Sequence, residues 1–183
     1  MIVSLPPDLG SKLQRELRRA GTREIGGVLV GEHVGNGEFR IADISIQRSG
    51  GTASCFVRQP AMHQRFLQKF YRRTGCFERF NYLGEWHSHP SFSLQPSMVD
   101  RRQMQMIVES GDSAALFALL MITRLDGRGE LAASVKVFAA GQRPAAVTLV
   151  SRDRPDNDPA RPSPILSLSR LRKIPFLSKK KKT

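Results

Sequence analysis

Residues 82–100 read YLGEWHSHPSFSLQPSMVD, and three kinds of local structure follow one another along them. Residues 82–89 mix aromatic, apolar and polar side chains in a short run that predicts a strand. Pro90 and Pro96 bound a segment that can continue neither a strand nor a helix. Residues 97–108 then place apolar side chains in partial helical register. The pattern therefore predicts a strand, a loop and a helix.

Two histidines give this segment its chemistry. Alternate residues of a strand face the same side, so His87 and His89 can direct imidazole nitrogens toward one point. The loop that begins at Pro90 can fold back and bring Asp100, near the start of the helix, beside them. Two neutral imidazoles and one carboxylate suit a catalytic zinc whose fourth position is open to water. The spacing therefore predicts zinc ligation by His87, His89 and Asp100.

Such a site needs a base that is not itself a metal ligand. Glu24 is our candidate, because it opens the sequence EIGGVLVG, in which glycines let the first strand approach a neighbouring backbone closely. Glu85 is the rival base, since it is closer in sequence to the histidines. It also shares their strand parity, so it could instead support a ligand from behind as a second-sphere partner.

Taken together, these motifs resemble those of the JAMM or MPN zinc metalloproteases, the isopeptidases that remove ubiquitin and its relatives. The motifs are HxH at residues 87–89, SxxD at residues 97–100 and ExxGxLxG at residues 24–31. The block at residues 82–90 looks like the bacterial JAB-type branch. That branch includes deconjugating enzymes of ubiquitin-like systems in CBASS and related anti-phage operons.

The resemblance implies a reaction and a role for each residue. Zinc would be held by the three predicted ligands, Glu24 would act as general base and later as proton donor, and Ser97 would hydrogen-bond the oxyanion. The substrate would be a conjugate of a ubiquitin-like modifier, cleaved after the modifier's C-terminus, and E1- or E2-like conjugation enzymes would be further partners. The implied fold is a mixed β-sheet sandwiched by helices, in a three-layer arrangement like that of cytidine deaminases.

The rest of the chain also alternates helical and β-rich segments. Apolar spacing and turn residues predict helices at residues 8–20 and 60–73, a hairpin at residues 25–34 and 39–46, and strands at residues 115–123, 131–138 and 145–150. This mixed order is typical of an α+β fold with helices packed on a sheet.

Composition limits the classes of protein that the chain can be. Its 183 residues, 40% of them apolar, suffice for one hydrophobic core, and we expect one domain over residues 1–150. The longest apolar run, residues 114–122, is far too short to span a membrane, and the N-terminus lacks the pattern of a signal peptide. We therefore expect a cytoplasmic protein. Two cysteines exclude a disulfide framework.

The charge is concentrated toward the C-terminus. The chain carries +13, and residues 152–183 contribute +7 of it through ten basic and three acidic side chains. This segment contains prolines and ends in four consecutive lysines before Thr183. We expect residues 151–183 to be a flexible basic tail, able to attract nucleic acid, an anionic membrane or an acidic protein.

Several alternatives remain open at this point. Ser97-x-x-Asp100 is also a helix capping box, a purely structural motif that can coexist with the metal site. Phe92 lies in the loop after the histidines and could pack on a bound peptide or on its own loop. Among functions, a processing protease of sulfur-carrier proteins uses the same chemistry, and RadC-like DNA-associated proteins have similar motifs. A scaffold that binds metal without catalysis is a further alternative.

Overall fold

A computed structural model describes residues 1–110 and 116–152, which form seven strands and three helices. In chain order the elements are β1 (Ile2–Leu5), α1 (Pro7–Ala20), β2 (Gly26–Gly35), β3 (Glu38–Ile44), α2 (Pro60–Thr74), β4 (Phe80–Ser88), α3 (Met98–Glu109), β5 (Ala118–Leu125), β6 (Leu131–Phe138) and β7 (Ala145–Ser151). The predicted helices and strands are present, with ends that differ by a few residues. The strand predicted from residue 115 begins at Ala118.

The strands form one mixed sheet that closes on itself. Their order is β1-β3-β2-β4-β5-β6-β7, and β1 pairs in parallel with both β3 and β7. The pair β4 and β5 is also parallel, whereas the other neighbours are antiparallel. Strand β1, whose four residues end just before Pro6, was not predicted from the sequence. This short strand completes the closure.

Helices cover both faces of the sheet. On one face Leu13 of α1 packs in a core cluster with Trp86 and Leu119. On the other face α3 covers alternate residues of β5, including Leu120, while Leu67 of α2 covers β2. The predicted α+β class, a mixed sheet with helices on both sides, is therefore confirmed. The closure of the sheet was not predicted, and the likeness to cytidine deaminases stays a prediction.

The pairing of β2 with β4 places the functional motifs together. These strands run antiparallel, with Gly26 opposite His87. A Cβ atom added to Gly27 would lie 2.1 Å from the carbonyl oxygen of Ser45, so only glycine permits this approach. The close approach to a neighbouring backbone that the glycines predicted is therefore present in β2. As a result the residues just before β2, including Glu24, lie beside the carboxyl end of β4.

The last element that the structure describes is β7, next to the predicted C-terminal boundary at residue 150. In β7, Ser151 pairs with Leu5 of β1, and the Arg152 guanidinium forms an ion pair with Glu38. Most of the predicted basic tail, residues 153–183, lies outside the described residues. No helix in the described part of the chain is long and apolar enough to cross a membrane.

Candidate active site

Three predicted metal ligands converge at the end of β4. Nε2 of His87 lies 3.1 Å from Nε2 of His89. The carboxylate of Asp100, in the first turn of α3, approaches both rings, with Oδ1 3.4 Å from His87 Nε2 and Oδ2 3.8 Å from His89 Nε2. The strand parity and the returning loop thus bring together the two histidines and the aspartate, as the spacing predicted.

The spacing of these atoms suits a tetrahedral metal ion. Ligands about 2.0–2.2 Å from a zinc ion are roughly 3.3–3.5 Å from one another in a tetrahedron. Nδ1 of His89 lies 2.9 Å from the carbonyl oxygen of Ser93, to which it can only donate a proton. That bond leaves Nε2 of His89 with its lone pair directed at the cluster, as a metal ligand requires. The donor set therefore fits zinc.

Asp100 has a second, structural task. Ser97 Oγ accepts a hydrogen bond from the Asp100 amide at 3.2 Å, and the Ser97 amide donates to Asp100 Oδ2 at 2.7 Å. Burial acts to raise the pKa of the Asp100 carboxyl, but hydrogen bonds and charge from His87 and Ser97 outweigh it and hold that pKa below its usual range. A lowered pKa favours the ionised carboxylate, which is the form that binds a metal. The capping box and the predicted metal site therefore share Asp100.

Glu24 lies in the same neighbourhood, just before β2. Its side chain is nearly inaccessible, with 4% of the residue exposed. Burial raises the pKa of the Glu24 carboxyl, opposed by the charges of His87 and His89. The next residue, Ile25, donates its amide to Ser88 Oγ at 3.0 Å and accepts from the Ser88 amide at 2.8 Å, so Glu24 lies next to the end of the strand that carries the histidines. A buried carboxylate with a raised pKa suits a general base.

Glu85, the rival base, is engaged elsewhere. It forms an ion pair with the Arg58 guanidinium and lies 3.4 Å from the Tyr82 hydroxyl, which donates to it. A carboxylate that neutralises a neighbouring guanidinium is a weaker base than one held in an apolar setting. The Arg58 contact was not predicted, because the sequence contains no local pattern that pairs residue 58 with residue 85.

Two aromatic side chains lie beside the histidines. Phe92, half exposed, meets the His89 ring edge-on at a centroid separation of 6.3 Å. Phe56 stacks on the His87 ring at 6.5 Å, from a loop on the other side of the site. Phe92 was a candidate from its place in the motif loop, whereas Phe56 lies far from the motif in sequence and was not predicted. Trp86 points away from the histidines into the core, since neighbouring residues of a strand face opposite sides.

Comparison with known proteins identifies the family. A model of the prokaryotic homologs of the JAB domain matches residues 6–136, which contain all the motif residues. The chain belongs to this family. The predicted resemblance to the JAB-type branch is therefore confirmed, and the site described above lies within the matched JAB domain.

Two curated relatives of this JAB domain carry the same name, CD-NTase/cGAS isopeptidase. The one from Enterobacter hormaechei subsp. hoffmannii (strain UCI 50) is 29% identical over 137 residues, which cover 70% of this chain and 71% of the relative. The one from Vibrio cholerae serotype O1 (strain ATCC 39315 / El Tor Inaba N16961) is 35% identical over 108 residues, covering 57% of this chain and 65% of the relative.

Solved structures also resemble this JAB domain. The solution structure of protein DSY2949 from Desulfitobacterium hafniense matches with a TM-score of 0.61 and 16% identity, over 85% of this chain and 96% of that chain. A protein from Salinibacter ruber (strain DSM 13855) matches with a TM-score of 0.50 and 16% identity, over 84% and 92% of the two chains. At this identity the likeness concerns the fold alone.

Proposed function

We propose that the protein is a zinc-dependent isopeptidase that cleaves after the C-terminus of a ubiquitin-like modifier. The observation that carries this proposal is the His87, His89 and Asp100 cluster, whose donor atoms suit a metal, with the buried residue Glu24 next to the end of the same strand. Three protein ligands leave a tetrahedral zinc one open position for water, as hydrolytic sites require and structural sites do not. The site therefore supports hydrolysis without a covalent enzyme intermediate.

The chain's residues divide the work of this reaction. When bound, zinc polarises a carbonyl group and lowers the pKa of water to ~7. Glu24 takes the proton of the attacking water and gives it to the leaving amine. The Ser97 hydroxyl accepts from the Asp100 amide, so its own proton is available for the oxyanion of the substrate. Phe92, half exposed beside His89, offers a surface on which the substrate chain can pack.

The names of the relatives support the substrate class. Both are called CD-NTase/cGAS isopeptidase, so the proposed substrate is a ubiquitin-like modifier joined to a nucleotidyltransferase or another target of a CBASS-like system. E1- and E2-like enzymes, which would form such conjugates, are proposed partners. A sulfur-carrier precursor would be cleaved by the same chemistry.

The direct test is cleavage of a defined fusion. A ubiquitin-like modifier encoded beside the gene, fused through its C-terminal glycine to green fluorescent protein, is incubated with the zinc-loaded full chain. We expect two products whose masses place the cut directly after that glycine, and no products in the presence of a zinc chelator. Cleavage that survives chelation, or a cut elsewhere, would contradict the proposal. A DNA mobility-shift assay in parallel tests the RadC-like alternative.

Two isosteric variants test which carboxylate is the base. Glu24→Gln keeps the size of the side chain and lies outside the ligand set, so zinc binding should persist while kcat falls by ~10²–10⁴-fold. Glu85→Gln should change kcat far less, because that carboxylate already pairs with Arg58. The reverse pattern would assign the proton transfer to Glu85.

A further inference from the structure

A loop outside the predicted motif packs against the backbone of Glu24, the proposed base. The covering loop, residues 48–58, connects β3 to α2 and contacts Glu24 through its backbone. The Glu24 amide donates a 2.7 Å hydrogen bond to the Thr52 carbonyl. A Cβ atom on Gly51 would lie 1.8 Å from the Glu24 carbonyl oxygen, so the two backbones are in direct contact. Phe56 of the same loop stacks on His87. The covering loop therefore packs against the backbone of Glu24 and the ring of His87.

Gln47 holds both ends of the covering loop. Its side chain is fully buried, and its Nε2 donates 2.7 Å hydrogen bonds to the carbonyls of Ser49 and Val57. Its backbone pairs with Gly26 at the start of β2, at 2.8 and 3.3 Å. Its Oε1 accepts from the Gln59 amide at 2.7 Å, next to the start of α2. Gln47 thus bonds the loop through its side chain and the strand that follows Glu24 through its backbone.

His63 of α2 fixes the orientation of Gln47. The two carbonyls that face the amide of Gln47 need donors, so Nε2 points to them and Oε1 points to His63. Since Oε1 can only accept, Nε2 of His63, 3.0 Å away, donates to it. Nδ1 of His63 then accepts from the Ser45 hydroxyl at 2.8 Å, while Ser45 Oγ accepts from the Val28 amide at 2.8 Å. Every donor has an acceptor in this buried chain, so the amide of Gln47 has one satisfied orientation.

We propose that Gln47, oriented by His63, is a positioning residue for the proposed isopeptidase reaction. It holds the covering loop in place, and the loop holds the backbone of Glu24 through the Thr52 carbonyl and the contact with Gly51. The covering loop contacts one ligand, through Phe56 on His87, whereas His89 is held by the Ser93 carbonyl and Asp100 by the cap at Ser97. Loss of Gln47 should therefore displace the base and leave the ligands in place. The expected effect of Gln47 on kcat rests on the proposed isopeptidase function.

Gln47→Met tests the proposal, with Gln14→Met as a matched control. Gln14 anchors a different loop, through a 2.7 Å hydrogen bond from its Nε2 to the Gly129 carbonyl. In Gln47→Met we expect unchanged zinc content, a kcat lower by ~10²-fold and a KM within ~3-fold, because a displaced base affects only the chemical step. Gln14→Met should keep kcat. His63→Phe should lower kcat less, and its effect should be non-additive with Gln47→Met.

Hydrogen exchange supplies a readout that does not need activity. The amide of Glu24 is protected by the Thr52 carbonyl, so its exchange should accelerate in Gln47→Met and not in Gln14→Met. The single tryptophan, Trp86, donates its indole proton to the Ser45 carbonyl, and unchanged fluorescence reports an intact core. If Gln47→Met does not fold, Gln47→Glu keeps the acceptor and the size while removing both donors to the loop.

The outcomes separate this inference from the proposed function. A folded Gln47→Met whose Glu24 amide stays protected, or whose kcat equals that of the wild type, overturns the positioning role. A KM that rises while kcat is kept also overturns it, since the loop would then act in binding. If the wild type cleaves no conjugate, the proposed function fails, and the exchange experiment still decides whether Gln47 holds the loop against Glu24.

Discussion

Two loops flank the site, and they are held in different ways. The motif loop, residues 90–96, connects His89 to the helix cap. Two hydrogen bonds hold it near the ligands: His89 donates to the Ser93 carbonyl, and the Ser134 hydroxyl donates to the Leu94 carbonyl. The covering loop, residues 48–58, contains none of the predicted site residues. It is held at both ends by the buried side chain of Gln47.

The difference shows which parts of a site a sequence can reveal. The motif loop joins residues that must keep a fixed spacing, so its function can be seen in a single segment of the chain. The covering loop acts through backbone contacts and through a glutamine and a histidine that are 16 residues apart. Such contacts form only in the folded protein. In the proposed mechanism the first loop positions the metal ligands, and the second positions the base.

Of the changes that test this difference between the loops, we expect the largest loss of activity from a substitution at the end of the motif loop. Ser97→Ala removes both the helix cap and the proposed donor to the oxyanion, and kcat should fall by ~10²–10³-fold. The lost cap should cost only about 1 kcal/mol of stability. Ser97→Thr keeps the hydroxyl and should retain most of kcat. Steady-state kinetics would measure kcat, and urea unfolding would measure the free energy of unfolding. If Ser97→Ala has the kcat of the wild type, Ser97 is only a helix cap.

A smaller effect is expected where the covering loop is anchored. Burial lowers the pKa of His63 to about 4, whereas an unfolded chain should have a histidine pKa of about 6.5. The unfolded state therefore binds more protons between these values, and stability falls as the pH falls from about 6.5 toward 4. At pH 5 the loss should be ~2 kcal/mol relative to pH 7.

Urea unfolding at both pH values would measure this loss. His63→Phe removes the titrating group, so its free energy of unfolding should depend less on pH over the same range. Equal pH dependence in the two proteins would show that His63 is not held neutral in the fold, and the hydrogen-bond direction assigned to Gln47 would then be wrong.

The smallest effect is expected from the C-terminal segment, which takes part in neither loop. Removal of residues 153–183 deletes much of the positive charge and leaves β7 intact. Cleavage of a small modifier fusion and the melting temperature should both change little. Binding to an anionic partner should weaken, and in the full chain it should decrease as salt rises. A large drop in melting temperature would show that the segment belongs to the folded domain.

The sequence predicts the motif side of the molecule well, for local reasons. Strand parity alone places His87 and His89 on one face and Trp86 on the other, as the structure has them. The closing strand β1 was missed because its four residues are too short for a pattern, and its partners β3 and β7 are distant in sequence. The ion pair that engages Glu85 also needs a residue from another segment, Arg58.

Metal analysis of the full chain tests the central claim most directly. The protein is purified without chelator at neutral pH, and zinc is measured per chain in the wild type, Glu24→Gln and His89→Ala. We expect about one zinc per chain in the first two and little in His89→Ala, because only the last removes a ligand. A wild type that contains no zinc and gains none when zinc is added would contradict the account.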